Sequence, residues 1–174
     1  TLVLSMQNGV SNTDVARAAA PGLDLRAGMV PFTVVEMGPG HLHRATDGQM
    51  AVENHPALQP WLPAFKAAGL PLALNDDLRP AQWGKLLLDL NNAVNALSGL
   101  PLRAQLLDAD LRRCTAALVS ETLYLLKQAG IQPASVAPVR PRNLPRVLRL
   151  PTPLFRVAGR RMLHIDAKVR SSML

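Results

Sequence analysis

The sequence predicts an α/β half, residues 1–78, followed by an all-helical half, residues 79–174. Three observations carry this. Before residue 78, short apolar runs bounded by turn residues alternate with helix-like stretches. From residue 81 onward, apolar residues recur at helical spacing over two long segments, 81–97 and 108–129. The composition, 48% hydrophobic but only 3% aromatic, makes the core aliphatic and rich in the strong helix formers leucine and alanine. A chain of 174 residues is long enough to bury such a core.

Residues 1–4 form a short β-type run that ends at Gln7-Asn8-Gly9, a strand leading into a tight turn. A helix follows from Asn12 or Thr13 as its N-cap through Ala20, and Pro21-Gly22 stops it. Residues 29–37, 41–45 and 49–52 read as successive strands, joined by turns at Gly38-Pro39-Gly40 and Asp47-Gly48. A helix is expected over 58–68 and a strand over 70–74. The pattern changes across residues 75–80, so the boundary is placed near 78. The helix over 108–129 has Gly130 where a left-handed cap belongs. Prolines recur through 133–153, which excludes a continuous helix there and leaves a loop with short helical pieces.

No apolar run approaches the ~20 residues of a membrane span. The N-terminal residues lack the charged start and long apolar stretch of a signal peptide, so the expectation is a cytoplasmic protein without a membrane partner. The single cysteine, Cys114, excludes an intrachain disulfide framework and is expected to be a small core residue. His41, His43, His55 and His164 lack metal-ligand spacing, and no metal site is assigned. The net charge of +7 is uneven: residues 1–78 carry four Lys/Arg against seven Asp/Glu, and residues 79–174 carry fifteen against five. The second half is suited to an anionic partner.

The most specific stretch is Trp83-Gly84-Lys85-Leu86-Leu87-Leu88-Asp89-Leu90-Asn91-Asn92-Ala93-Val94-Asn95. At about 100° per residue, Lys85, Asp89 and Asn92 share one narrow stripe, while most of the leucines point elsewhere. Buried polar groups need partners, so the stripe suits a polar ligand. The alternative is an ordinary i,i+4 ion pair on a solvated face, worth a few tenths of a kcal/mol.

Gln7-Asn8-Gly9, the Trp83-x-Lys85 helix with Asn92 and Asn95, and the terminal Ser171-Ser172-Met173-Leu174 together resemble the ketopantoate reductase (2-dehydropantoate 2-reductase) family. The resemblance implies the C-terminal part of a Rossmann-type NADPH-binding domain over 1–78 and a helical substrate-binding and dimerisation domain over 79–174. It also implies reduction of ketopantoate to pantoate on the route to pantothenate and coenzyme A, by a homodimer with no nucleic-acid partner. Lys85 would be the general acid, since an ammonium beside a ketone stabilises developing negative charge and can supply the proton. Asn8 would lie by the nicotinamide; Asn92 and Asn95 would bind the substrate hydroxyl or carboxylate, and Ser172 the carboxylate. Each has a plainer reading: Asn8 as a turn former, Ser171 and Ser172 as a helix cap, Trp83 as packing at the domain junction.

Two departures from the family accompany the resemblance. Where the family usually carries asparagine one turn after the lysine, this chain has Asp89, whose carboxylate pairs with Lys85 and repels an anionic substrate, marking slower catalysis or a different ketoacid. The chain also has no G-x-G-x-x-G turn to seat a cofactor pyrophosphate, and the family's substrate-binding glutamate would fall beyond Leu174. Truncation at both ends is therefore expected, with no productive NADPH binding by these residues alone. Two other classes stay open. One is a non-catalytic dimerising scaffold. The other is nucleic-acid binding through 140–170, where nine Lys/Arg oppose only Asp166, but Phe155 is the sole aromatic and no stacking platform exists.

Overall fold

The computed structural model describes residues 1–46, 48–136 and 139–163. Four strands form one mixed sheet in the order β1 (Leu2–Ser5), β2 (Asp24–Met29), β5 (Met50–Glu53), β6 (Leu72–Asn75). The outer pairs β1–β2 and β5–β6 run parallel, and β2–β5 is antiparallel. Helix α1 (Asn12–Ala19) connects the first parallel pair. A 3-10 turn (Pro56–Trp61) and α2 (Leu62–Ala67) connect the second. The hairpin β3 (Val34–Gly38) and β4 (His41–Arg44) stands apart as a two-stranded ribbon.

The alternation along a strand separates two cores. Ala27, Met29 and Ala51 pack with Leu78 on the side that meets the helical half. Met50 and Val52 pack with Leu58 and Leu72 on the side of α2. Glu53, at the end of β5, accepts from the Ala27 amide at 2.9 Å and from Arg17 of α1, tying the helix to the sheet edge.

Two expectations are corrected here. The strand expected over 29–37 is two separate strands: β2 ends at Met29, and β3 starts at Val34. Pro31 lies in the break, where it has no N–H to give a ladder. β2 itself was hidden by its charges, which pair on the sheet surface: Arg26 with Asp24 at 2.8 Å, and Asp24 with His55 at 3.0 Å. The helix expected over 58–68 is helical in α form only from Leu62. Pro60, inside the preceding 3-10 turn, has no N–H for the α-type ladder.

The helical half is built on α3 (Arg79–Ser98) and α5 (Ala109–Gln128), with α4 (Leu102–Leu107), which the sequence reading did not anticipate, between them. Asp108 caps α5, its Oδ1 accepting from the amides of Asp110 at 2.9 Å and Leu111 at 3.0 Å. At the other end Gly130 takes φ +70, and the amides of Gly130 and Ile131 return to the carbonyls of Lys127 and Leu126. The proline-rich segment folds into α6 (Leu144–Leu148) and α7 (Thr152–Ala158), each with proline in its first turn, where the missing N–H costs nothing. Their apolar faces complete a core of Leu87, Leu106, Val119, Leu144, Leu148 and Phe155.

Arg112 lies inside this core, fully buried. Its guanidinium donates to the carbonyls of Leu148 (3.1 Å), Leu106 (2.9 Å) and Leu150 (2.9 Å) and to Thr152 Oγ1 (3.2 Å), and it lies 4.4 Å from the Phe155 ring centroid. The carbonyls of Leu106 and Leu148 belong to the last turns of α4 and α6, the negative ends of those helices. Burial lowers the Arg112 pKa from its ordinary value, and the nearby Asp108 opposes that shift. Cys114, expected in the core, is exposed, because α5 turns Arg112, Thr115, Ala116 and Val119 inward and leaves position 114 outside. No helix among the described residues is long and apolar enough to cross a membrane.

Candidate active site

α3 carries the site. Gly84 lets the chain segment at Ala134 lie directly on the helix: a Cβ at 84 would collide with the Ala134 carbonyl oxygen, and the Ala134 amide donates to the Pro80 carbonyl at 2.7 Å. One residue on, Lys85 leaves the helix on the side facing the end of β1. Its Nζ donates to Asn8 Oδ1 at 2.8 Å and to Asp89 Oδ2 at 2.7 Å. The Lys85 and Asp89 side chains are 15% and 25% exposed, so the ion pair is largely withdrawn from solvent and less screened than a surface pair. An ammonium has three donors, and two are occupied by described residues.

Asn8 reaches Lys85 because the β1 strand ends there in a turn. Gly9 follows at φ +95, a conformation that favours glycine. The Asn8 carbonyl accepts from Asn12 Nδ2 at 2.6 Å, at the start of α1. The turn-former reading and the site reading of Asn8 are thus both met by one geometry.

Lys85, Asp89 and Asn92 line a cavity of about 710 Å³ between the base of the β3–β4 hairpin and the helices, within the ordinary range for a small-molecule site. Leu88, Leu102, Val136, Val139 and Met162 form much of its apolar wall, and Thr33, Arg44 and Thr46, at the open end of the β3–β4 hairpin, supply polar groups on the opposite side. Thr46 Oγ1 accepts from the Thr33 amide at 2.8 Å, which closes the hairpin base against the cavity.

Beneath Asn92, a polar cluster joins three helices. Asn91 and Gln105 exchange a pair of amide hydrogen bonds at 3.1 Å, and the Thr115 hydroxyl donates to Asn91 Oδ1 at 2.9 Å. Gln105 is fully buried and Thr115 nearly so. Sequence reasoning missed Asn91, Thr115, Arg44 and Arg161 as cavity groups, and Gln105 as the partner of Asn91. Only Asn91, beside Asn92, carried a local signal.

Asn95 is placed elsewhere than expected. It is fully buried, and its Nδ2 donates to the Leu100 carbonyl at 3.0 Å, so this bond serves the turn after α3, where Gly99 takes φ +64. Asn95 does not line the cavity, although three residues beyond Asn92 the net rotation around the helix is only about 60°. Ser172 lies outside the described residues, as do Lys168 and Arg170 of the basic segment. Trp83 packs against the helical core. Among the described residues no group of three His, Cys, Asp or Glu could hold a metal ion.

Residues 1–57 match the family model "Ketopantoate reductase PanE/ApbA". No curated protein sequence matches the chain. Among solved structures, a PanE/ApbA family ketopantoate reductase from Ralstonia eutropha JMP134 is 25% identical with a TM-score of 0.73, over 99% of this chain and 52% of its own. A 2-dehydropantoate 2-reductase from Methylococcus capsulatus is 18% identical with a TM-score of 0.66, over 100% of this chain and 52% of its own. A D-mandelate dehydrogenase solved with NADH is 14% identical with a TM-score of 0.68, over 96% and 54%. The chain spans about half the length of these solved structures. Residues 1–57 thus match the ketopantoate reductase family model, and the described fold is similar to that of solved ketopantoate reductases over the whole chain.

Proposed function

We propose that the protein reduces ketopantoate to pantoate with NADPH, and that this chain supplies the general acid and much of the substrate cavity. The observation that carries the reading is Lys85 Nζ, held between Asn8 at the end of β1 and Asp89 on its own helix, at the wall of the 710 Å³ cavity. The carboxyl ends of the strands in an open α/β sheet are where such folds bind nucleotides, and Asn8 stands at that end of β1.

A bound nicotinamide supplies the hydride. These residues fit the nicotinamide end alone: the sequence contains no G-x-G-x-x-G turn for a pyrophosphate. The chain's own contribution is the proton. Lys85 holds it on Nζ, aimed by two acceptors, and can pass it to the ketone oxygen as negative charge develops there. Asn92 offers an amide to the substrate's hydroxyl or carboxylate. The apolar wall at Leu88, Leu102 and Val139 suits a branched carbon skeleton. NADPH is the cofactor expected of the family; the D-mandelate dehydrogenase of the same fold was solved with NADH. The exposed Leu118, Tyr124 and Leu125 of α5 support dimerisation through the helical half.

A second reading, reduction of another 2-oxo acid, is favoured by Asp89, which brings a carboxylate into a cavity meant for an anion. Ketopantoate-dependent loss of NADPH absorbance, measured on a protein extended to include a cofactor pyrophosphate-binding turn, tests the first reading. Turnover with ketopantoate above other 2-oxo acids supports it; faster turnover of another 2-oxo acid supports the second. No oxidation of NADPH or NADH with any of them overturns both and leaves the scaffold.

A further inference from the structure

We propose that Arg161 is the substrate's carboxylate anchor, a role that follows from counting which cavity cations are already committed and that rests on the 2-oxo-acid reading of the site. Among the described residues, three cationic side chains line the cavity, Arg44, Lys85 and Arg161, against one acid, Asp89. Lys85 is taken by that acid at 2.7 Å and by Asn8. Its charge is largely offset, which suits it to proton delivery rather than to holding an anion. Arg44 is also committed. Its Nε donates to the Thr46 carbonyl at 3.3 Å and its Nη2 to the Gly48 carbonyl, and its guanidinium lies 4.2 Å from the Phe32 ring centroid.

Arg161 has no acidic partner among the described residues. Its position is set by the turn that follows α7. The Gly159 amide donates to the Phe155 carbonyl at 2.7 Å, and the amides of Met162 and Leu163 return to the Gly159 carbonyl at 2.8 and 3.1 Å. A Cβ at Gly159 would press on the Phe155 ring and carbonyl, so a glycine keeps this turn close to the buried Phe155–Arg112 stack. Met162, beside Arg161, lies on the cavity wall and packs on the helical core. The arginine therefore rises from a fixed base. A planar guanidinium can grip a carboxylate through two parallel hydrogen bonds, a geometry that lysine lacks.

The test separates ligand charge from ligand shape. Binding of 3-methyl-2-oxobutanoate and of its uncharged methyl ester is measured by titration calorimetry on the wild type, Arg161→Gln and Arg161→Lys. Arg161→Gln is expected to weaken the acid by about 10- to 100-fold, the range of a charged hydrogen bond, and to leave the ester unchanged; Arg161→Lys should recover part of the loss. An unchanged affinity for the acid, or an equal loss for acid and ester, overturns the anchor while the reductase reading stands on its own turnover assay. Failure of both ligands to bind the wild type overturns the anchor together with the 2-oxo-acid reading.

Discussion

Lys85 Nζ and Asp89 Oδ2 lie 2.7 Å apart, one helical turn from each other, at the wall of the cavity. The pair holds the proton donor in place and adds a negative charge to a site meant for an anion. Asp89→Asn keeps a side-chain oxygen for Lys85 and removes that charge. The expected result is a KM for 2-oxo acids lower by roughly 3- to 10-fold, the scale of a partly screened pair. Steady-state kinetics at two salt concentrations check this, because a Coulombic origin requires the gain to shrink as salt rises.

Asn8 aims the same ammonium from the sheet side at 2.8 Å. Asn8→Ala should reduce kcat by about 10-fold, consistent with one charged hydrogen bond, while thermal unfolding stays near wild type because Asn8 is exposed. A variant that loses stability but keeps kcat would make Asn8 a turn residue only.

The stripe of Lys85, Asp89 and Asn92 was legible because helical spacing alone fixes which residues share a face. Asn95 escaped that rule, since its partner is the Leu100 carbonyl in a turn whose path the helix pattern does not set. The polar groups that the helix pattern did not reveal, in the site and in the core, depend on contacts distant in sequence: Asn91 meets Gln105 and Thr115 at separations of 14 and 24 residues, and the core Arg112 meets Leu148, Leu150 and Thr152 at separations of 36 to 40. Strand β2 was illegible for another reason. Its Asp24 and Arg26 satisfy each other on the sheet surface, so the polar residues that usually mark a loop sit within a ladder.

Arg112 should be the most sensitive polar position in the helical half. Arg112→Met leaves the carbonyls of Leu106, Leu148 and Leu150 without their donor, at a cost of about 3–5 kcal/mol. Arg112→Lys should recover only a minor part, because a single ammonium cannot span acceptors arranged around a planar fork. Chemical denaturation midpoints for the two variants measure this; a loss below about 1 kcal/mol in Arg112→Met would show that the acceptors find other donors.

Gly84→Ala runs against helix propensity, which alone favours alanine by about 1 kcal/mol. The added Cβ collides with the Ala134 carbonyl, so the variant should be less stable than wild type. Displacing the segment that carries Val136 on the cavity wall should also raise KM. Paired melting and kinetic measurements check both effects, and a stabilised variant would mean that this segment moves away freely.

Cys114 lies one turn before Leu118, on the outer face of α5 proposed for dimerisation, so its labelling by a thiol reagent should slow as protein concentration rises. A labelling rate independent of concentration would count against a dimer contact on this face.

The most direct test is turnover by Lys85→Ala in a protein extended to include a cofactor pyrophosphate-binding turn, with ketopantoate and other 2-oxo acids as substrates and nicotinamide absorbance as the readout. The expected kcat is lower by about 10²- to 10⁴-fold in a protein that melts within a few degrees of wild type. A folded Lys85→Ala variant that keeps kcat within a factor of a few would contradict the assignment of Lys85 as the proton donor.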